Sequence, residues 1–87
     1  METKVGPYFK HEQDSSLEER QKYQLFITLI VRNAKSINHD VDYEELKKHT
    51  RYAVQDKGYQ FSEEVFEENL KLLLAIGRIK EIDGLYY

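Results

Sequence analysis

Three histidines, His11, His39 and His49, are the side chains best suited to proton transfer or metal binding near neutral pH. His39 stands in His39-Asp40-Val41-Asp42, where an imidazole and two carboxylates fall close together. A metal site would need a further ligand from elsewhere and a recognisable loop spacing, and this run has neither. It reads as a loop leading into a helix that Asp42 caps. His11 and His49 have no nucleophile in motif context. The absence of Cys removes thiol nucleophiles, disulfides and cysteine zinc sites together. Four scattered Gly residues make no phosphate-cradling loop. Paired carboxylates would need a concave site to work in, and a domain of this size has little room for one. The expectation is a noncatalytic chain with no cofactor and no bound metal.

What remains is surface chemistry. Lys47, Lys48 and Arg51 cluster with His49 and Tyr52 between them, and Arg78 and Lys80 follow near the C-terminal end. These five cations are the candidates for DNA phosphate contacts. Thirteen Lys+Arg against sixteen Asp+Glu nevertheless give a net charge of −3, which excludes a generic nucleic-acid coat. Seven Tyr and four Phe within a 40% hydrophobic composition are enough for a folded core. Eighty-seven residues allow one small domain, of a size that buries only about 60% of its unfolded surface. No apolar run is long enough to span a bilayer, and the N-terminus lacks a signal-peptide core. The expected setting is therefore intracellular, cytoplasmic or nuclear, with no membrane partner.

Hydropathy periodicity places these residues on elements. Residues 1–14 hold the only Pro, in Gly6-Pro7, and read as a flexible tail or linker from which Val5, Tyr8 and Phe9 could pack back. The domain proper spans 15–87. Ser16-Leu17-Glu18-Glu19 fits a capping box, followed by Tyr23, Phe26, Ile27, Ile30, Val31 and Ala34 on one helical face that ends near Lys35. A second capping box, Asp42-Tyr43-Glu44-Glu45, opens a helix with Leu46, Thr50, Ala53 and Val54 inward and Gly58 at its left-handed end. Val41 can form a very short strand before it. Ser62 caps a third helix, Glu63 to Ile76, with Val65, Phe66, Leu70, Leu72, Leu73 and Ile76 as its apolar set. Arg78 to Ile82, Asp83-Gly84 and Leu85 to Tyr87 predict a β-hairpin with a type I′ turn, Ile82 facing Leu85 and Glu81 facing Tyr86. Leu25, Leu29 and Leu74 fall off the main stripes, and Leu25 and Leu29 offer a surface for homodimerisation.

The order helix, short strand, helix, helix, strand, strand resembles a winged helix over residues 17–87. The segments that carry the likeness are Val41-Asp42-Tyr43-Glu44-Glu45-Leu46-Lys47 and Leu72-Leu73-Leu74-Ala75-Ile76-Gly77-Arg78-Ile79-Lys80. The implied fold is α+β: a winged helix-turn-helix of three helices plus a small antiparallel sheet, with a C-terminal β-hairpin wing. Among such domains the chain looks most like the C-terminal winged helices of MCM helicase subunits and of the middle subunit of replication protein A. That resemblance implies a protein-interaction module in a DNA-transaction assembly of the replication type. By position, its partner-binding residues would be Glu63, Glu64 and Glu67 on the third helix and Ile82, Leu85 and Tyr86 on the wing.

In the usual winged-helix mode the third helix reads bases in the major groove. Here its outward positions hold Glu64, Glu67, Glu68, Lys71 and Ala75, with Glu63 close by, and carboxylates meet phosphates with like charge. Asn69 is the one plausible adenine reader. Two alternatives to protein docking stay open. One is a small DNA-binding transcriptional regulator using Lys47, Lys48, Arg51, Arg78 and Lys80, with weak duplex contact. The other is an acidic third helix that mimics nucleic acid in a partner's basic site.

Overall fold

The computed structural model describes the backbone of residues 11–87 and the side chains from Leu17 onward, so the tail residues Val5, Tyr8 and Phe9 lie outside the described residues. Among the described residues there are three helices, α1 (His11–Ser36), α2 (Tyr43–Asp56) and α3 (Glu63–Ala75), and three two-residue strands, β1 (Val41–Asp42), β2 (Glu81–Ile82) and β3 (Leu85–Tyr86), in the chain order α1-β1-α2-α3-β2-β3. The class is α+β, with an antiparallel sheet in the order β1-β3-β2.

Helix α1 is already formed at His11, the first described residue, upstream of the expected capping box. Residues 11–14 are therefore helical and Ser16 sits inside the helix. No Gly or Pro interrupts this stretch, and an existing helix extends far more readily than it nucleates. The other two caps form where their sequences place them. Asp42 accepts the Glu45 N–H at 2.9 Å, and Ser62 Oγ accepts the Val65 N–H at 3.2 Å. The reciprocal half of the α2 capping box is replaced, because the Glu45 carboxylate meets His39 instead, at 2.6 Å.

All three helices end through a residue with positive φ, Asn38, Gly58 and Gly77. At each of these ends the following N–H reaches a carbonyl of the helix's last turn: His39 to Ala34, Tyr59 to Val54, and Arg78 to Leu73. The hairpin turn has φ of 55° at Asp83 and 81° at Gly84, the left-handed pair that matches strand twist. Its register joins Ile82 to Leu85 and Glu81 to Tyr86, and Tyr86 also pairs with Val41. Lys80 and Tyr87 extend the hairpin by exchanging backbone hydrogen bonds at 2.8 and 2.9 Å.

The core lies between the helices and one face of the sheet. Tyr23, Ile27, Val31 and Ala34 of α1 meet Leu46 and Val54 of α2 and Phe66, Leu70 and Leu73 of α3, with Val41, Ile79 and Tyr86 closing the sheet end. The buried Tyr23 hydroxyl accepts the Ser62 N–H at 2.8 Å, which ties α1 to the start of α3. Phe61 and Phe66 stand 6.0 Å apart, and Phe61 also faces Tyr23 at 5.9 Å.

Three expectations about facing are corrected. Leu72 and Ile76 are exposed, because the inner face of α3 is Phe66, Asn69, Leu70 and Leu73. Leu72 and Ile76 lie about a quarter-turn away from the centre of that face on a 3.6-residue helix. Ala53 is only half-buried. Leu74 packs against the core and does not join Leu25 and Leu29, which are exposed on the outer side of α1. No helix among the described residues is long and apolar enough to cross a membrane.

Candidate functional site: surfaces left open by the fold

The residues proposed to touch a partner do not form one surface. Glu63 and Glu64 are exposed at the start of α3. Glu67 is half-buried, and its Oε2 accepts the Tyr43 hydroxyl at 2.5 Å. Burial and this hydrogen bond push the Tyr43 hydroxyl well above its ordinary range, and the charges of Glu67, Glu63 and Glu44 add to the shift. The sheet register puts Tyr86 on the inner face with Val41, where it is buried, so its ring is withdrawn from any docking surface. Its hydroxyl is pushed up by burial, then by Glu81 and Glu67. Ile82 and Leu85 point to the opposite sheet face, where Ile82 is 53% exposed and Leu85 half-buried.

The candidate DNA contacts also divide. Lys47 Nζ lies 3.3 Å from Glu63 Oε2 and 3.9 Å from Glu44 Oε1, and 5.1 Å from the centre of the Tyr43 ring. Arg51 lies 5.8 Å over the ring of Tyr52. The shallow α2 surface that holds Lys47, Lys48 and Arg51 is lined equally by Asp42, Glu44 and Glu45. Its local charge is balanced. Asn69 is 3% exposed. It accepts from Gln24 at 2.8 Å and donates to the Val65 carbonyl at 2.7 Å. Its amide serves the α1–α3 contact and is not presented to bases.

Arg78 and Lys80 have different neighbours. They border a groove of about 370 Å³ between the hairpin and the C-terminal half of α1, which contributes Arg32 and Lys35. Val31 and Ile79 form its buried base, and Ile82 and Tyr87 its exposed apolar edge. No carboxylate side chain among the described residues lines it. Among the described residues, none of the four cations is in an ion pair. Sequence reasoning missed Arg32 and Lys35 as members of this group. They lie i, i+3 on one face of α1, a weak signal until the hairpin is placed beside them.

A second groove, of about 580 Å³, runs between the end of α1 and α2. Ile30, Ala34, Ala53 and Val41 line it, together with Ile37 and Tyr52, which are 72% and 55% exposed. Its polar rim contains Asp56 and a cluster in which Glu45 Oε2 lies 2.6 Å from His39 Nε2 and 3.7 Å from His49 Nε2. No group of three or more His, Asp or Glu side chains is arranged to hold a metal ion among the described residues.

Comparison with known proteins adds no relative: no family model, no curated protein and no solved structure matches this chain.

Proposed function

We propose that the chain is a noncatalytic protein-interaction module of the winged-helix type, working in a DNA-transaction assembly. The observation that carries this reading is the α1–α2 groove, where Ile37 and Tyr52 stand exposed beside Ile30 and Ala53. Leaving large side chains of this kind in water forgoes about 25 cal/mol for each Å² of apolar surface, a loss recovered when a partner covers them. The occupant we assign is the apolar face of a partner helix with a basic side chain opposite Glu45 and Asp56, whose carboxylates share the rim.

The α3 surface supports the same choice. Its first turn exposes Glu63 and Glu64, its one base-reading amide is buried, and its last turns expose Leu72 and Ile76. A helix of that character suits protein contact better than a phosphate-lined groove. The element order and the resemblance of residues 17–87 to the replication winged helices support the wider setting.

Two titrations test the reading. A labelled amphipathic helical peptide, leucines on one face and lysines beside it, is expected to bind saturably, and Tyr52→Asp or Ile37→Asp is expected to abolish binding. Duplex DNA is expected to show no saturable binding at submicromolar protein. Tight, steeply salt-dependent duplex binding that Lys47→Glu weakens would instead establish the DNA-binding regulator.

A further inference from the structure

The groove between α1 and the hairpin gathers four cations, Arg32, Lys35, Arg78 and Lys80, that make no ion pair among the described residues, on a chain that is net negative. Like charges gathered on one groove repel one another, a repulsion that an anionic ligand relieves. The groove is not purely ionic. Backbone pairing of Lys80 with Tyr87 and of Ile82 with Leu85 puts Lys80, Ile82 and Tyr87 on the same outward sheet face by strand alternation. Thr28, Arg32 and Lys35 supply the facing wall from α1.

We propose that this groove binds a short acidic polypeptide segment with an apolar anchor, its carboxylates on the four cations and its anchor against Ile82 and Tyr87. A nucleic-acid strand presents the same sign of charge but fits less well. Arg32 and Lys35 come from α1, and Arg78 and Lys80 from the segment that leads into the hairpin, so the cations border one groove from two parts of the chain. The chain as a whole carries a net charge of −3, so a longer polyanion is repelled by the molecule outside the groove. A segment of a few residues avoids that repulsion. The exposed Ile82–Tyr87 edge also gives a leucine or phenylalanine side chain somewhere to lie, which a phosphodiester backbone does not use.

This inference rests on the reading of the chain as a protein-docking module and gives that module a second, chemically opposite surface. Its test is fluorescence anisotropy of the full chain with a short labelled peptide in which glutamates flank a central Phe-Leu pair. Three comparisons accompany it: the same peptide with Ser-Ser at its centre, oligothymidylate of matched length, and a salt series. The Phe-Leu peptide is expected to bind saturably and more weakly as salt rises. Reversing an exposed charge replaces attraction by repulsion, so Arg32→Glu and Lys80→Glu are each expected to weaken it about tenfold. Lys48→Glu makes the same change in net charge on the balanced α2 surface and is expected to leave binding nearly unchanged. All three side chains are exposed, so the variants are expected to keep the parent's circular dichroism.

Absence of peptide binding overturns the proposal. So does equal weakening by Lys48→Glu and Lys80→Glu, which would mark an effect of net charge alone. Equal affinity for the Ser-Ser peptide overturns the anchor, and tighter binding of oligothymidylate assigns the groove to nucleic acid. Tyr52→Asp should leave this peptide's affinity intact, so failure here and failure at the α1–α2 groove are separable results.

Discussion

The seam between α2 and α3 and the groove between α1 and the hairpin hold similar side chains in opposite circumstances. At the seam, Tyr43, Lys47, Glu63 and Glu67 engage one another through a hydrogen bond, an ion pair and a cation–aromatic contact. At the groove, Arg32, Lys35, Arg78 and Lys80 share a border with no carboxylate side chain on it among the described residues. The seam uses its charges to hold two helices together. The groove leaves its charges available to a ligand. Net charge and charge runs do not separate the two cases, since Lys47 and Lys80 look equivalent along the chain. Only the partners of each ammonium decide whether it belongs to stability or to binding.

Substitutions should therefore rank by region. The largest effect is expected from Tyr43→Ala, which removes the edge-on contact with Phe66 at 5.8 Å together with the Glu67 and Lys47 contacts. A loss of about 2–3 kcal/mol is expected in urea unfolding, below the usual range for a fully buried aromatic because Tyr43 is half-buried. A loss under half a kilocalorie would deny the seam its structural role.

Tyr43→Phe isolates the hydroxyl and is expected to cost about 1 kcal/mol at neutral pH. It also has a pH signature. The raised Tyr43 pKa means that the folded state holds this proton more tightly than the unfolded chain does. The resulting stability is present below the ordinary tyrosine value, about 10, and is lost as pH rises above it towards the folded value. Between pH 9 and 11 the parent should therefore lose stability more steeply than Tyr43→Phe. Parallel curves in denaturant melts would remove the Tyr43–Glu67 bond from the account.

Lys47→Ala comes next, with an expected loss of about 0.5–1 kcal/mol from the partly covered ion pair and the ring contact. Arg78→Ala and Lys80→Ala should be smallest, within about 0.5 kcal/mol of the parent and of either sign, because removing one like charge relieves its neighbours. A substantial loss at Lys80 would break the contrast, since it would mean that the groove cations support the fold after all.

Much of this architecture was legible in the sequence for local reasons. Asp42 and Ser62 cap helices, Gly58 and Gly77 end them, and Asp83-Gly84 sets the hairpin register, all through contacts a few residues apart. Facing was harder on α3. Val65, Phe66, Leu70, Leu72, Leu73, Leu74 and Ile76 cover more than half the helix circumference, so periodicity could not pick the buried side. Asn69 took an inward position through its bonds to Gln24 and Val65, a partnership across the fold that no spacing announces. The groove was half legible. Arg78 and Lys80 stood out as cations, while Arg32 and Lys35 belong to a helix far away in the chain.

The sheet order carries a consequence for how the chain acquires its structure. β3, the last strand in sequence, lies between β1 and β2. The hairpin is a local product that can form on the microsecond timescale, but Tyr86 must find Val41 across both intervening helices. Closing so long a loop carries an entropic cost that the helices reduce by folding and packing first. Joining of β1 to β3 is therefore expected late along the folding route, with Val41→Ala accelerating unfolding more than it slows refolding. The wall of the cationic groove that carries Arg78 and Lys80 would then be among the last parts of the molecule to settle into place.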